Sequence, residues 1–561
     1  MAAFRSNENP MFRSKFSEDI FKHKYRHQGC ETWAALARTL VEDVCSDYLT
    51  KDEQTELIQI ITDLKFIPGG RYLYYAGRPN KFFNNCYLLK AEEDTREDWA
   101  NVSWKAESCL MTGGGIGVDY SIYREEGKVL NGTGGLASGP IPKMLMVNEI
   151  GRRVMQGGSR RSAIYASLNW KHFDINKFLV SKNWYDMPVG NTGFTVGQIK
   201  EQDFNFTAPL DMTNISVNYD TEWLLNYWNT HEIESTFKAN VQQALSTGEP
   251  GFSFNFFEKE NETLRNACTE VSSCDDSDVC NLGSVNMGRI ETLKEFNDVV
   301  ELATKFLLCG TVKAKLPYNR VYAVRDKNRR LGLGLMGIHE WLIKNNSTYN
   351  VTKELHKWLE IYRGVSNSVS QKFSSYMNVS RPVANRAIAP TGSIGILAGT
   401  STGIEPIFAV AYKRRYLKGQ NRWHYQYVVD SAAQEIIDLY GVDPDKIESA
   451  LILADDYKRR MVFQADVQDY VDMSISSTIN LPSWGSKLNN PDTVTDFAKT
   501  LATYANRLRG FTVYPDGCRG GQPLTSVPYK EAVSKLGEEF EESVETHDIC
   551  DITKHGGSCG V

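Results

Sequence analysis

Apolar residues fall at helical spacing in two early stretches, Trp33–Leu40 and Glu56–Ile61, so residues 17–65 are expected to be mostly helical. From about residue 66 the texture changes. Short apolar runs alternate with helical patterns, punctuated by glycine-rich turns at Pro68–Gly70, Thr112–Gly115, Asn131–Gly135 and Gln156–Gly158. Strands alternating with helices predict parallel βαβ units and the α/β class. Further helices are predicted over Glu295–Leu308 and Ser431–Tyr440, the second stopped by Gly441. The pattern holds no internal repeat. After about Pro528 it turns acidic (Glu538-Glu539-Phe540-Glu541-Glu542) and closes on Gly556-Gly557-Ser558-Cys559-Gly560-Val561, which predicts a mobile tail.

Composition narrows the class. A chain of 561 residues with 41% hydrophobic and 24% charged positions can bury a large core, either as several domains or as one long α/β barrel. The net charge of -6 argues against a nucleic-acid or anionic-membrane surface, leaving local basic groups to hold small anions. No apolar run is long enough to span a bilayer, and Met1–Lys15 is polar, without a signal region. The 11 cysteines are scattered and odd in number, which predicts a reducing, cytoplasmic setting and functional or inert thiols.

Three segments carry candidate chemistry. In Asn266-Ala267-Cys268-Thr269-Glu270 an amide, a thiol and a carboxylate alternate, and an extended loop would put all three on one face. Cys86, at a turn-to-strand transition in Asn84–Leu89, and Cys280, opening Cys-Asn-Leu-Gly, are candidate partners. Converging, the three thiols make a radical or nucleophile site with a dithiol reductant; apart, they are structural cysteines. Pro390-Thr391-Gly392-Ser393-Ile394, ahead of an apolar run, reads as an anion cradle or as a simple helix N-cap. No Gly-Lys-Ser/Thr follows, so it is not a P-loop. Gly157-Gly158-Ser159-Arg160-Arg161-Ser162-Ala163 reads as a loop near phosphates or bases, or as a solvated basic turn.

Together these residues resemble a ribonucleotide reductase catalytic chain over residues 60 to 527. Further stretches carry the resemblance: Thr112–Tyr120, Arg330–Gly337, Pro390–Ile394 with Gly403–Pro406, Gln468–Asn480 and Thr512–Gly517. The resemblance implies a ten-stranded α/β barrel of two five-stranded half-barrels with a central finger loop, over residues 66–527. A helical region without an ATP-cone would precede it (1–65) and a flexible redox tail would follow it (528–561). It implies that Cys268 is a thiyl radical taking the ribose 3′ hydrogen, with Glu270 accepting the 3′-hydroxyl proton and Asn266 holding the sugar hydroxyls. Cys86 and Cys280 would protonate the departing 2′ oxygen and supply two electrons, ending as a disulfide. Substrate phosphates would sit on Thr391, Gly392, Ser393 and Ile394, with Asn85 and Gly115 on the sugar side. A deoxynucleotide effector would bind Asp94, Thr95, Arg96 and Arg124, and the loop Arg160, Arg161, Ser162 and Ala163 would relay its signal. Ala267 and Thr269 stand where many relatives have Pro and Gly.

Members of the family differ in radical source. Tyr514 lacks the adjacent tyrosine of class I chains, and no glycyl-radical motif is present, so the chain resembles class II, which implies adenosylcobalamin. The alternatives are a class I-like chain fed by a metallo-subunit and a non-catalytic nucleotide-binding barrel. The implied partners are a ribonucleoside di- or triphosphate, the effector, and thioredoxin or a similar dithiol, acting on a monomer or homodimer. Cys550 and Cys559 are the candidate shuttle pair. His547, Cys550, His555 and Cys559 could instead hold zinc, but so few residues surround them that no metal is expected.

Overall fold

The computed structural model describes residues 11–132, 134–154, 162–203, 206–418, 422–518, 524–536 and 538–541. Three helices precede the first strand: α1 (Lys15–Ile20), α2 (Trp33–Cys45) and α3 (Lys51–Thr62). Ser14, Thr32 and Thr50 cap them, each hydroxyl accepting a backbone N–H of the first turn, and Thr50 with Glu53 forms a reciprocal capping box. Between α1 and α2 the chain takes a π-helical turn, Phe21–Tyr25. Trp33, Leu36, Leu40 and Val41 of α2 are buried in the same apolar core as the strands that follow, so these helices pack on the barrel wall.

The strands come in order β1 (Phe66–Pro68), β2 (Cys86–Lys90), β3 (Gly115–Asp119), β4 (Ile164–Asn169), β5 (Thr213–Tyr219) and β6 (Gly251–Phe254). They continue with β7 (Leu264–Arg265), β8 (Ser272–Ser273), β9 (Asp278–Asn286) and β10 (Leu331–Met336). Next are β11 (Ala411–Lys418), β12 (Arg422–Val429), β13 (Thr478–Leu481), β14 (Gly510–Pro515), β15 (Leu524–Ser526) and β16 (Glu539–Glu541). β2 to β6 pair in sequence, all parallel, as the first half-barrel. In the second half β9 pairs β10 and β13 pairs β14, both parallel. Between them the segment around Arg386–Ile388 bridges Leu333 on one side and Ile475 on the other. The halves meet antiparallel at both seams, β2 with β9 and β14 with β6, so the ladder closes on itself as a ten-stranded barrel. The strands are almost continuously buried, as parallel strands covered by helices must be, although β9 carries Asp278, Asn281, Ser284 and Asn286 among its apolar residues.

β7 and β8 stay out of the wall and pair as a hairpin, Leu264 with Ser273 and Arg265 with Ser272. This is the finger. A second, antiparallel sheet of order β15-β11-β12-β16 stands apart from the wall with its own small core, Ala411, Tyr427, Val429 and Ala532. It corrects one expectation: residues 528–541 are no mobile tail where described, because helix Tyr529–Ser534 covers this sheet and β16 extends it from β12.

Candidate active site

The finger base is fixed by charge. The Arg265 guanidinium, fully buried, donates to the Asn255 side-chain oxygen at 2.7 Å and to the Glu262 carbonyl at 2.7 Å, and Arg509 pairs with the Glu262 carboxylate at 2.8 Å. On the other leg the Ser273 hydroxyl donates to Asp278 at 2.6 Å, and Arg330 holds the same carboxylate at 2.6 Å. Asp278 opens β9, the strand that carries Cys280, so finger and thiol strand share one anchor.

Cys86 is the first residue of β2, and its register partner across the antiparallel seam is Cys280 of β9. Both are buried, whereas Cys268 on the finger tip is partly exposed. The Asn266 amide donates to Cys86 Sγ at 3.0 Å, and Cys86 Sγ lies 4.0 Å from Glu270 Oε1. The structure thus brings Asn266, Glu270, Cys86 and Cys280 together beneath the tip that bears Cys268. The tip is not extended, as the alternation suggested. Ala267 and Cys268 form a turn, closed by Thr269 N–H donating to the Asn266 carbonyl at 3.0 Å, with Thr269 at φ +70°. Asn266 and Glu270 converge because the chain reverses between them. The Val271 N–H on Asn266 Oδ1 at 2.9 Å and the Ser474 N–H on the Glu270 carbonyl at 2.9 Å hold that reversal.

Burial sets the protonation states. It raises the Glu270 carboxyl to about 7, against the lowering effect of the Asn266 amide. It also pushes the Cys86 and Cys280 thiols well above the ordinary range, helped at Cys86 by Glu270 and at Cys280 by Asp278. Both thiols therefore keep their protons, and beside them the Glu270 carboxyl takes up or releases a proton near neutrality. Among the buried acceptors without a partner in the protein are Glu270 Oε2 and Asn85 Oδ1. Gly115 lies beside the finger tip, since a Cβ there would stand 3.2 Å from the Ala163 carbonyl oxygen and 3.3 Å from the Ala267 Cβ.

Thr391 is the N-cap of the short helix Gly392–Ala398, but its hydroxyl does not cap it. Instead it accepts the Gly403 N–H at 2.8 Å, tying the Gly403–Pro406 segment to the helix start, while Lys24 donates to the Ser393 hydroxyl at 3.2 Å. Asp94 and Arg124 form an ion pair of 2.5 Å beside the helix Arg96–Met111. Thr95 caps that helix and Arg96, largely exposed, pairs with Glu97. β3 joins the two regions, with Gly115 at its start and the Arg124 turn just past its end, a run of ~13 Å along the strand. Of the loop expected to relay an effector signal, Ser162 donates to the Val154 carbonyl at 3.2 Å, and the Ala163 carbonyl accepts the Ile116 N–H at 3.0 Å. Arg160, Arg161, Cys550 and Cys559, and the His547–Cys559 array, lie outside the described residues. No cluster of metal ligands occurs among the described residues.

Sequence reasoning passed over Lys24, Asn214, whose amide donates to the Ala267 carbonyl at 3.1 Å, and Ser474. Ser474 lies within Gln468–Asn480, so that stretch held its signal; Lys24 and Asn214 had none.

Fold and site together define a closed ten-stranded α/β barrel that carries one partly exposed thiol on a central finger and two buried thiols paired across a seam. The family model described as ribonucleotide reductase, barrel domain, matches residues 84–192, 210–363 and 383–514, and the chain belongs to that family. It is 26% identical to a vitamin B12-dependent ribonucleoside-diphosphate reductase of Thermoplasma acidophilum, over 83% of this chain and 66% of that protein. It is also 26% identical to a protein of the same description from Mycobacterium tuberculosis, over 86% of this chain and 74% of that one. The fold matches the Actinobacillus ureae class Id ribonucleotide reductase alpha subunit with TM-score 0.69 at 16% identity, covering 90% of this chain and 97% of that chain. Among the described residues no helix is long and apolar enough to cross a membrane.

Proposed function

We propose that this chain reduces ribonucleoside di- or triphosphates to 2′-deoxyribonucleotides for DNA synthesis, by a thiyl radical on Cys268, with adenosylcobalamin as its radical source. The observation that carries the reading is Cys86 standing opposite Cys280 with Asn266 and Glu270 at its sulfur. A 2′ C–O bond has no neighbouring carbonyl to weaken it, and a radical at C3′ makes the 2′ hydroxyl a leaving group. Cys268 removes the 3′ hydrogen atom while Glu270 accepts the 3′-hydroxyl proton. The 2′ hydroxyl departs as water with a proton from the Cys86–Cys280 pair. That pair supplies two electrons and closes to a disulfide, and Cys268 returns a hydrogen atom to C3′. One ribonucleotide and one dithiol thus give one deoxyribonucleotide, one water and one disulfide. The closed barrel keeps the radical from solvent.

Two observations favour the cofactor that the two B12-dependent relatives name. Cys268 is the partly exposed member of the thiol trio, and Tyr514 is followed by Pro515, not by a second tyrosine. Adenosylcobalamin, when bound, supplies the one-electron oxidant for the Cys268 thiol. Asp94, Thr95, Arg96 and Arg124 bind a deoxynucleotide effector, and Arg160–Ala163 relay it. Cys550 and Cys559 exchange with the Cys86–Cys280 disulfide and with thioredoxin. The test is the purified chain with adenosylcobalamin, a small dithiol and a ribonucleotide. Deoxynucleotide should form with no second protein, and Cys268→Ala should abolish it while nucleotide binding persists. A requirement for a metallo-subunit would overturn the cofactor; product from Cys268→Ala would overturn the radical role.

A further inference from the structure

Lys24 belongs to none of the motifs legible in the sequence, yet its ammonium reaches Ser393. The segment that carries it is fastened along helix Gly392–Ala398 at three points. Lys24 donates to the Ser393 hydroxyl at 3.2 Å, Ser17 to the Ile396 carbonyl at 2.6 Å, and Arg13 to the Gly399 carbonyl at 2.7 Å. Residues 13 to 24 therefore run antiparallel to 399 to 393. Arg13, paired with buried Glu340 at 2.7 Å, locks the far end. At the near end lies the π-helical turn Phe21–Tyr25, a geometry that is rare and concentrated at functional positions. Tyr25 places its hydroxyl against Gly70, where a Cβ would come within 3.1 Å, and the adjoining Gly69 packs the same way on the Asn85 amide. Lys24 and Tyr25 thus join the segment holding Ser393 to the one holding Asn85.

Thr391-Gly392-Ser393-Ile394 offers hydroxyls and amides but no charged side chain, whereas a nucleoside di- or triphosphate brings several negative charges. We propose that Lys24 is a substrate-binding residue, its ammonium pairing with the phosphates of the ribonucleotide and sharing them with the Ser393 hydroxyl. This rests on the reading of Thr391–Ile394 as the phosphate site. Lysine suits the task as a compact point charge that asks no bidentate geometry of its ligand. A purely structural tie to Ser393 would be served as well by a neutral donor, and that difference makes the role testable.

Lys24→Gln keeps a donor and removes the charge. It should weaken ribonucleoside di- or triphosphate binding and raise KM about 10-fold, with kcat at saturation and thermal stability nearly unchanged. Lys24→Arg should recover most of the loss, and binding of the unphosphorylated ribonucleoside should not change. A normal KM in Lys24→Gln, or a fall in stability or kcat without a change in KM, overturns the proposal. Ser393→Asp separates the two readings by putting a carboxylate against the phosphates. If Ser393→Asp destroys nucleotide binding while Lys24→Gln does not, only the lysine's role falls. If Ser393→Asp leaves binding intact, the phosphate site itself is elsewhere.

Discussion

At the scale of the residue, Glu270 couples chemistry to stability. Its carboxyl titrates near 7 in the native chain and near 4.5 when exposed, because burial penalises the charge. Below pH 4.5 both states are protonated; between 4.5 and 7 the unfolded chain ionises first, so the native chain holds the extra proton. Stability from this group is therefore lost as pH rises through that window. Glu270→Gln removes the penalty, and urea unfolding should find it more stable than the parent at pH 8, on the order of 2 kcal/mol, with the gain vanishing near pH 4. The same variant should lose at least ~100-fold in turnover, since it cannot accept the proton, and the parent's kcat/KM should climb as pH passes about 7. Equal stabilities at both pH values would show that Glu270 is not the buried acid described. Types and spacing singled out Asn266, Cys268 and Glu270 as one group; the tight turn that brings Asn266 and Glu270 together was not legible. It depends on Thr269 at φ +70°, which no sequence pattern announces.

At the scale of the element, the finger exists because β3 makes room for it. A Cβ on Gly117 would lie 1.6 Å from the Arg265 carbonyl oxygen, and Gly117 is held in register with Leu88 of β2 and Tyr165 of β4, so neither side can yield cheaply. Gly117→Ala should cost about 2–3 kcal/mol in denaturant unfolding and, by pushing the finger off its seat, depress turnover as well. Thr269→Gly should act oppositely, relieving a β-branched residue in left-handed backbone and gaining about 1 kcal/mol. A neutral Gly117→Ala would mean that the finger does not press on β3. Periodicity found the helices well: the two predicted later ones match Leu293–Lys313 and Ser431–Tyr440, with Gly441 at φ +63° ending the second. It failed for β15, β16 and helix Tyr529–Ser534. Their partners β11 and β12 lie about a hundred residues earlier, and an acidic stretch that extends a distant sheet looks locally like a solvated tail.

At the scale of the whole molecule, closing the barrel sets a problem for the proposed reaction, because a reductant has to reach a buried thiol pair. The closure depends on bridges around Arg386–Ile388, too short to read as a strand, and the resemblance to a known barrel made it legible where periodicity did not. Closure leaves Cys86 3% exposed and Cys280 fully buried, so under the proposed mechanism a protein reductant would not touch the disulfide they form, whereas a small dithiol would need only to diffuse in. The last strand, β16, ends at Glu541 on the edge of the sheet beside the barrel. Cys550 follows 9 residues later (550 − 541) and Cys559 18 later (559 − 541). Extended chain of those lengths reaches ~30 and ~60 Å, the span within which the proposed thiol shuttle would work. Cys550→Ser should therefore complete a single turnover with thioredoxin and then stop, yet cycle normally with a small dithiol; quenched-flow product counts against steady-state rates would show it. Cys559→Ser should behave alike. Continued cycling of both variants with thioredoxin would mean that the reductant enters the barrel directly, and the tail would then have no part in reduction.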